Sequence, residues 1–164
     1  MKTPHLSPVT IKSLRRTRQE SLYEIVQRIA EIHARLAAHY GALALCVPDE
    51  RQGLILTYLA GREMSLVEYL QRFLKESPGS TLHRRFKYVP DLVVEDLLET
   101  LAPKPTENIE ELAELLQNIH NAIDEVYHPL NESMLPEDLS DIVDKLRLQE
   151  KEHLIEQLRA IRDE

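Results

Sequence analysis

The sequence predicts an all-α fold, a four-helix bundle in which two antiparallel helical hairpins are joined by a long crossover carrying a short extra helix. Three observations lead there. Apolar residues recur at alternating three- and four-residue spacing over four long segments. The chain has only 4 glycines, and its prolines punctuate those segments. The connection between the second and third segments, residues 77–105, is far longer than a turn, whereas the other two connections are short.

The first helix is expected over about 11–45, starting at Ile11 or Ser13, with Leu22, Ile25, Ile29, Ile32, Leu36 and Leu43 as its apolar stripe. Pro48 stops it. Asp49 followed by Gln52 resembles a capping box opening a second helix over about 49–76, whose stripe is Leu56, Leu59, Glu63, Leu66, Leu70 and Phe73. Ser77-Pro78-Gly79-Ser80 ends it, and the short turn at Asp49 makes the first pair a hairpin. Within the crossover a short helix is expected near 91–101, offering Leu92, Val93, Leu97, Leu98 and Leu101 for packing. Thr106 caps a third helix over about 106–128, which Pro129 is expected to end. The fourth helix runs over about 136–162, with Pro136 in its first turn and Leu139, Ile142, Val143, Leu146, Leu154 and Ile161 inward.

At 164 residues the chain fits one domain, 1–164, large enough to bury a core without disulfides. No apolar run approaches the length of a membrane span. The polar opening, Met1 to Pro8, lacks the features of a secretory signal, and the single cysteine, Cys46, forms no internal disulfide, so a cytoplasmic protein is expected. A net charge of -8 argues against nucleic-acid binding, which needs a concentrated positive face. The basic clusters Arg15, Arg16, Arg18 and Arg84, Arg85, Lys87 lack interleaved aromatics and read as solvated surface. No Ser-His-Asp or Cys-His arrangement and no glycine-rich phosphate loop is present, and no organic cofactor is indicated.

Advancing about 100° per residue around each helix separates inward polar side chains from outward ones. Glu150 and His153 fall inside the stripe of the fourth helix, between Leu146 and Leu154, while Lys151 and Glu152 point away from its centre. Glu63 lies on the second helix's stripe, and His33 lies mid-stripe on the first, with Tyr40 two turns further along. On the third helix His120 lies on the flank of the apolar face with Tyr127 two turns beyond, and Asp124 is more peripheral. Buried carboxylates are unfavourable unless paired, hydrogen-bonded or bound to a cation. Imidazole nitrogen and carboxylate oxygen suit iron, manganese or zinc, so Glu63, Glu150, His153, His33 and His120 form a candidate set of metal ligands. The competing reading is a set of structural polar pairs, such as Glu63 with His153, that fix helix register.

The segment Gln149-Glu150-Lys151-Glu152-His153-Leu154 resembles the last helix of the ferritin-like superfamily, the rubrerythrins and bacterioferritins in particular, and the hairpin–crossover–hairpin order extends that resemblance over most of the chain. The resemblance implies a bundle-core site in which two helices each give a glutamate and two give Glu-x-x-His, holding two irons that handle oxygen, peroxide or stored iron. Glu150 and His153 match the motif, and Glu63 matches the second helix's glutamate, but Leu66 stands where a histidine belongs. His33 stands in place of the first helix's glutamate, counted from Tyr40, and His120 in place of the third's. These replacements remove bridging carboxylates and point to one divalent ion or an atypical pair, with iron- or manganese-dependent redox chemistry implied by the family. The alternative is a metal-free scaffold acting by association, a homodimer through an apolar strip of the crossover, with Leu92, Val93, Leu97 and Leu98 as candidates, or through a side of the bundle.

Overall fold

A computed structural model describes residues 17–90, 109–132 and 136–162. Its elements in order are β1 (Thr17–Ser21), α1 (Leu22–Cys46), α2 (Glu50–Glu76), the single turn α3 (Gly79–Leu82), β2 (Arg85–Pro90), α4 (Ile109–Glu132) and α5 (Glu137–Arg162). The four long helices pack around one apolar cluster that includes Ile25, Ile29, Leu36, Leu59, Leu70, Leu116, Ile123, Val126, Val143 and Leu146. No helix among the described residues is long and apolar enough to cross a membrane. The expected crossover helix near 91–101 and the Thr106 cap lie outside the described residues.

The first helix begins at Leu22, later than the expected start near Ile11. Ser21 is its cap: the hydroxyl accepts the Glu24 amide at 3.1 Å and donates to the Glu24 carboxylate at 3.1 Å. This Ser-x-x-Glu pattern satisfies amides that a helix start leaves open. Upstream, Thr17–Ser21 pairs antiparallel with Arg85–Pro90, and the Leu22 amide donates to the Arg84 carbonyl at 3.1 Å. The ribbon contains a register shift: Arg18 opposes Val89 and Glu20 opposes Phe86, so β2 uses three residues where β1 uses two. Such a bulge turns Phe86 and Val89, three apart, to the same side, and both are buried in the core cluster.

Val47 and Pro48 end α1, the Val47 amide returning to the Leu43 carbonyl at 3.1 Å. Asp49 caps α2 as expected, its carboxylate accepting the Arg51 amide at 3.0 Å. Its end at Ser77-Pro78 also agrees with expectation. In α4 the expectation fails, because the helix runs through Pro129 to Glu132. An interior proline costs about 3 kcal/mol through its missing amide and its clash with the preceding turn. Continuing the helix buries Leu130 in the core, an effect on the order of 1.5–3 kcal/mol that offsets most of this. Pro136 stands immediately before α5 and accepts from the amides of Leu139 and Ser140, both at 3.0 Å.

Candidate metal centre

Four buried polar side chains from three helices meet in the middle of the bundle: His33 from α1, Glu63 from α2, and Glu150 and His153 from α5. Apolar neighbours bracket each one along its helix, Ile29 and Leu36 around His33, Leu59 and Leu66 around Glu63, Leu146 before Glu150. His33 stands at the centre. Its Nδ1 lies 2.5 Å from Glu63 Oε2, and its Nε2 lies 2.9 and 3.0 Å from the two oxygens of Glu150.

Ionised carboxylates only accept hydrogen bonds, so both ring nitrogens of His33 donate and the ring is an imidazolium. Burial alone pulls the His33 pKa down, but Glu150 and Glu63 together outweigh it and raise it to about 10. For Glu63 burial pushes the pKa up, and the His33 charge, aided by contacts with His153, brings it down to about 2. Gln157, one turn beyond His153, donates to Glu63 Oε1 at 2.7 Å. The sequence reading missed Gln157, although its spacing from Glu150 and His153 places it on the same stripe.

His153 Nε2 lies 3.1 Å from Glu63 Oε1, an ion-pair distance, yet off the direction a hydrogen bond requires, and it is buried without a hydrogen-bond partner among the described residues. Its ring meets that of His33 edge-on, centroids 5.4 Å apart. Glu63 is therefore shared among His33, Gln157 and, at ion-pair distance, His153, so the simple Glu63–His153 pair is one part of a larger polar cluster. The hydroxyls of Tyr40 and Tyr127 are likewise buried without a partner among the described residues. Burial first, then Glu63 for Tyr40 and Glu150 for Tyr127, raises both phenol pKa values well above 10.

His120 of α4 shares a cavity of about 10 Å³ with His33, Glu63, Glu150 and His153, and its Nδ1 is buried and unpartnered among the described residues. Burial lowers its pKa, against the pull of Glu150 and Asp124. Asp124 itself stands apart, held by Arg147 at 2.9 Å. The donor atoms of His33, Glu63 and His153 all lie within 4.8 Å of one another.

A cavity of this size holds about one water-sized particle. Two-metal centres in bundle cores of this kind draw on four carboxylates and two histidines, whereas the buried polar layer here offers two carboxylates, Glu63 and Glu150, among the described residues. One divalent ion fits: the donor atoms of His33, Glu63 and His153 already converge, His153 Nε2 makes no well-directed hydrogen bond among the described residues, and either His33 nitrogen can serve as a ligand once its proton leaves.

No protein-family model matches the chain, and no curated protein matches it. Among solved structures it is similar to a Thermotoga maritima protein described as a ferritin-like diiron-carboxylate protein, with a TM-score of 0.56 and 16% identity over 89% of this chain and 97% of that one. At this identity the likeness is one of fold, and the chain has the ferritin-like all-α bundle.

Proposed function

We propose that this chain is a metal-binding protein that holds one divalent ion in its ferritin-like core, with Glu63, Glu150, His33 and His153 as ligands. The observation that carries the reading is the convergence of the His33, Glu63 and His153 donor atoms within 4.8 Å around a small cavity, His153 Nε2 being buried without a hydrogen-bond partner among the described residues. Two carboxylates and two imidazoles suit iron or manganese, and zinc accepts the same donors. Bound iron or manganese would supply redox chemistry towards oxygen or peroxide.

The chain's own groups prepare the site. Gln157 fixes the Glu63 carboxylate from behind. His33 carries a proton that an arriving cation displaces, so binding releases protons and affinity rises with pH towards the His33 value of about 10. Tyr40 and Tyr127 keep their protons and offer two buried donors.

A second reading has its own observation. His33 is satisfied at both nitrogens by Glu63 and Glu150, a chain of charges that also stands without an ion. The bundle would then be a metal-free scaffold working by association, and Leu148 and Ile155, exposed two turns apart on α5, offer an apolar face for a second copy.

Metal analysis by plasma mass spectrometry on untagged protein separates the two. One equivalent of iron, manganese or zinc per chain, lost in Glu150→Ala and His153→Ala, is the expected result. Protein that is purified metal-free and refuses all three added ions would overturn the metal reading and leave the scaffold.

A further inference from the structure

The cavity is sealed unevenly. Among its described lining residues, His33, Glu63, Glu150, His153 and Gln157 are buried, as are the apolar side chains Leu36, Leu116, Ile119 and Ile123; His120 and Leu154 are only partly buried. Those two sit on α4 and α5, so the thin wall is the seam between these helices. His120 belongs to that wall: the residue lines the cavity and is only partly buried, and its Nδ1 is buried and unpartnered among the described residues. One turn further along α4, Asp124 crosses the same seam to Arg147 of α5 and pins the helices together there.

A second approach exists between α2 and α5, where a groove of about 300 Å³ shares only His153 with the cavity. His153, 6% exposed, stands between this groove and the cavity, and Arg62 pairs with Glu156 along the groove.

We propose that a divalent cation reaches the core through the α4–α5 seam, and that His120 is both the ligand that takes it from solvent and the plug that closes the seam behind it. An imidazole has donor nitrogens on two edges, and rotation about its side-chain bonds between staggered wells turns a lone pair from the outer face to the inner one. A purely apolar plug would exclude water equally well but offer a hydrated cation nothing to exchange a water for. The inference rests on the metal-binding reading.

The test is the rate of Co²⁺ uptake by the full metal-free chain, followed by stopped-flow absorption of the cobalt bands. His120→Leu keeps the plug and removes the ligand, and is expected to slow uptake at least tenfold. Leu154→Ala thins the wall without touching a ligand and is expected to speed it at least threefold. Arg62→Met, in the α2–α5 groove, is expected to stay within twofold of the unaltered chain. Circular dichroism melts establish that each variant is folded before its rate is read. Unaltered rates in both His120→Leu and Leu154→Ala, or acceleration by Arg62→Met, would overturn the seam route while leaving the metal site standing. An unaltered chain that takes up no Co²⁺ overturns the metal reading and this inference with it.

Discussion

The two hairpins contribute to the polar layer in different ways. The α1–α2 hairpin supplies one imidazole and one carboxylate, His33 and Glu63, in contact at 2.5 Å, both buried and both strongly shifted in pKa. The α4–α5 hairpin supplies Glu150, which completes the His33 chain, and two histidines, His153 and His120, each with a buried nitrogen that lacks a hydrogen bond among the described residues. The α1–α2 pair is compensated, by its own contact and by Glu150 and Gln157 of α5, whereas His153 and His120 each keep a buried nitrogen without a hydrogen bond among the described residues. In a dry interior an unpaired polar atom is unfavourable by roughly 1–3 kcal/mol, so these two histidines are where a ligand gains most and the compensated pair is where the apo fold is anchored.

The largest expected effect breaks the compensated pair. Glu63→Leu in metal-free protein leaves the His33 charge short of a partner and should lower stability by about 3–5 kcal/mol in denaturant unfolding. A loss below about 1 kcal/mol would remove the distinction between the hairpins.

Proton linkage sharpens the same contrast. The folded pKa of His33, about 10, lies above its ordinary 6.5, so its contribution is fully present below pH 6.5 and disappears as pH rises through 10. The folded pKa of Glu63, about 2, lies below 4.5, so its contribution is present above pH 4.5 and is lost as pH falls through 2. Metal-free protein should therefore be most stable between about pH 4.5 and 6.5 as far as this pair is concerned. Unfolding midpoints measured from pH 3 to pH 10 check this, and His33→Phe should abolish the alkaline decline.

Gln157→Leu removes the donor on Glu63 from the α5 side and should cost about 1.5 kcal/mol, the scale of a hydrogen bond to a charged group, in the same unfolding assay. The smallest effects belong to Tyr40→Phe and Tyr127→Phe. Each deletes a buried hydroxyl with no partner among the described residues, so metal-free stability should stay within about 1 kcal/mol of the parent or rise. A larger loss in either would reveal a hydrogen bond that the apo arrangement lacks.

Helical periodicity made the inward direction of His33, Glu63, Glu150 and His153 legible, because azimuth around a helix follows from residue number alone. The same arithmetic applied to Gln157 would have placed it beside them. Other features were hidden for local reasons. Phe86 and Val89 are three apart, a helical step, and only the bulge in β2 sets both on one side of a strand. Pro129 reads as a terminator unless the burial of Leu130 beyond it is known.

The sequence by itself determined the all-α bundle, the cap at Asp49, the start of the last helix near Pro136, and which faces of the helices carry polar groups. Tertiary structure alone decided who meets whom: that His33 lies between Glu63 and Glu150 with His153 beside Glu63, and that Asp124 pairs with Arg147. The reason is that azimuth is a property of one helix, whereas pairing depends on the relative height and rotation of several. Those are fixed only when side chains distant in sequence pack against one another.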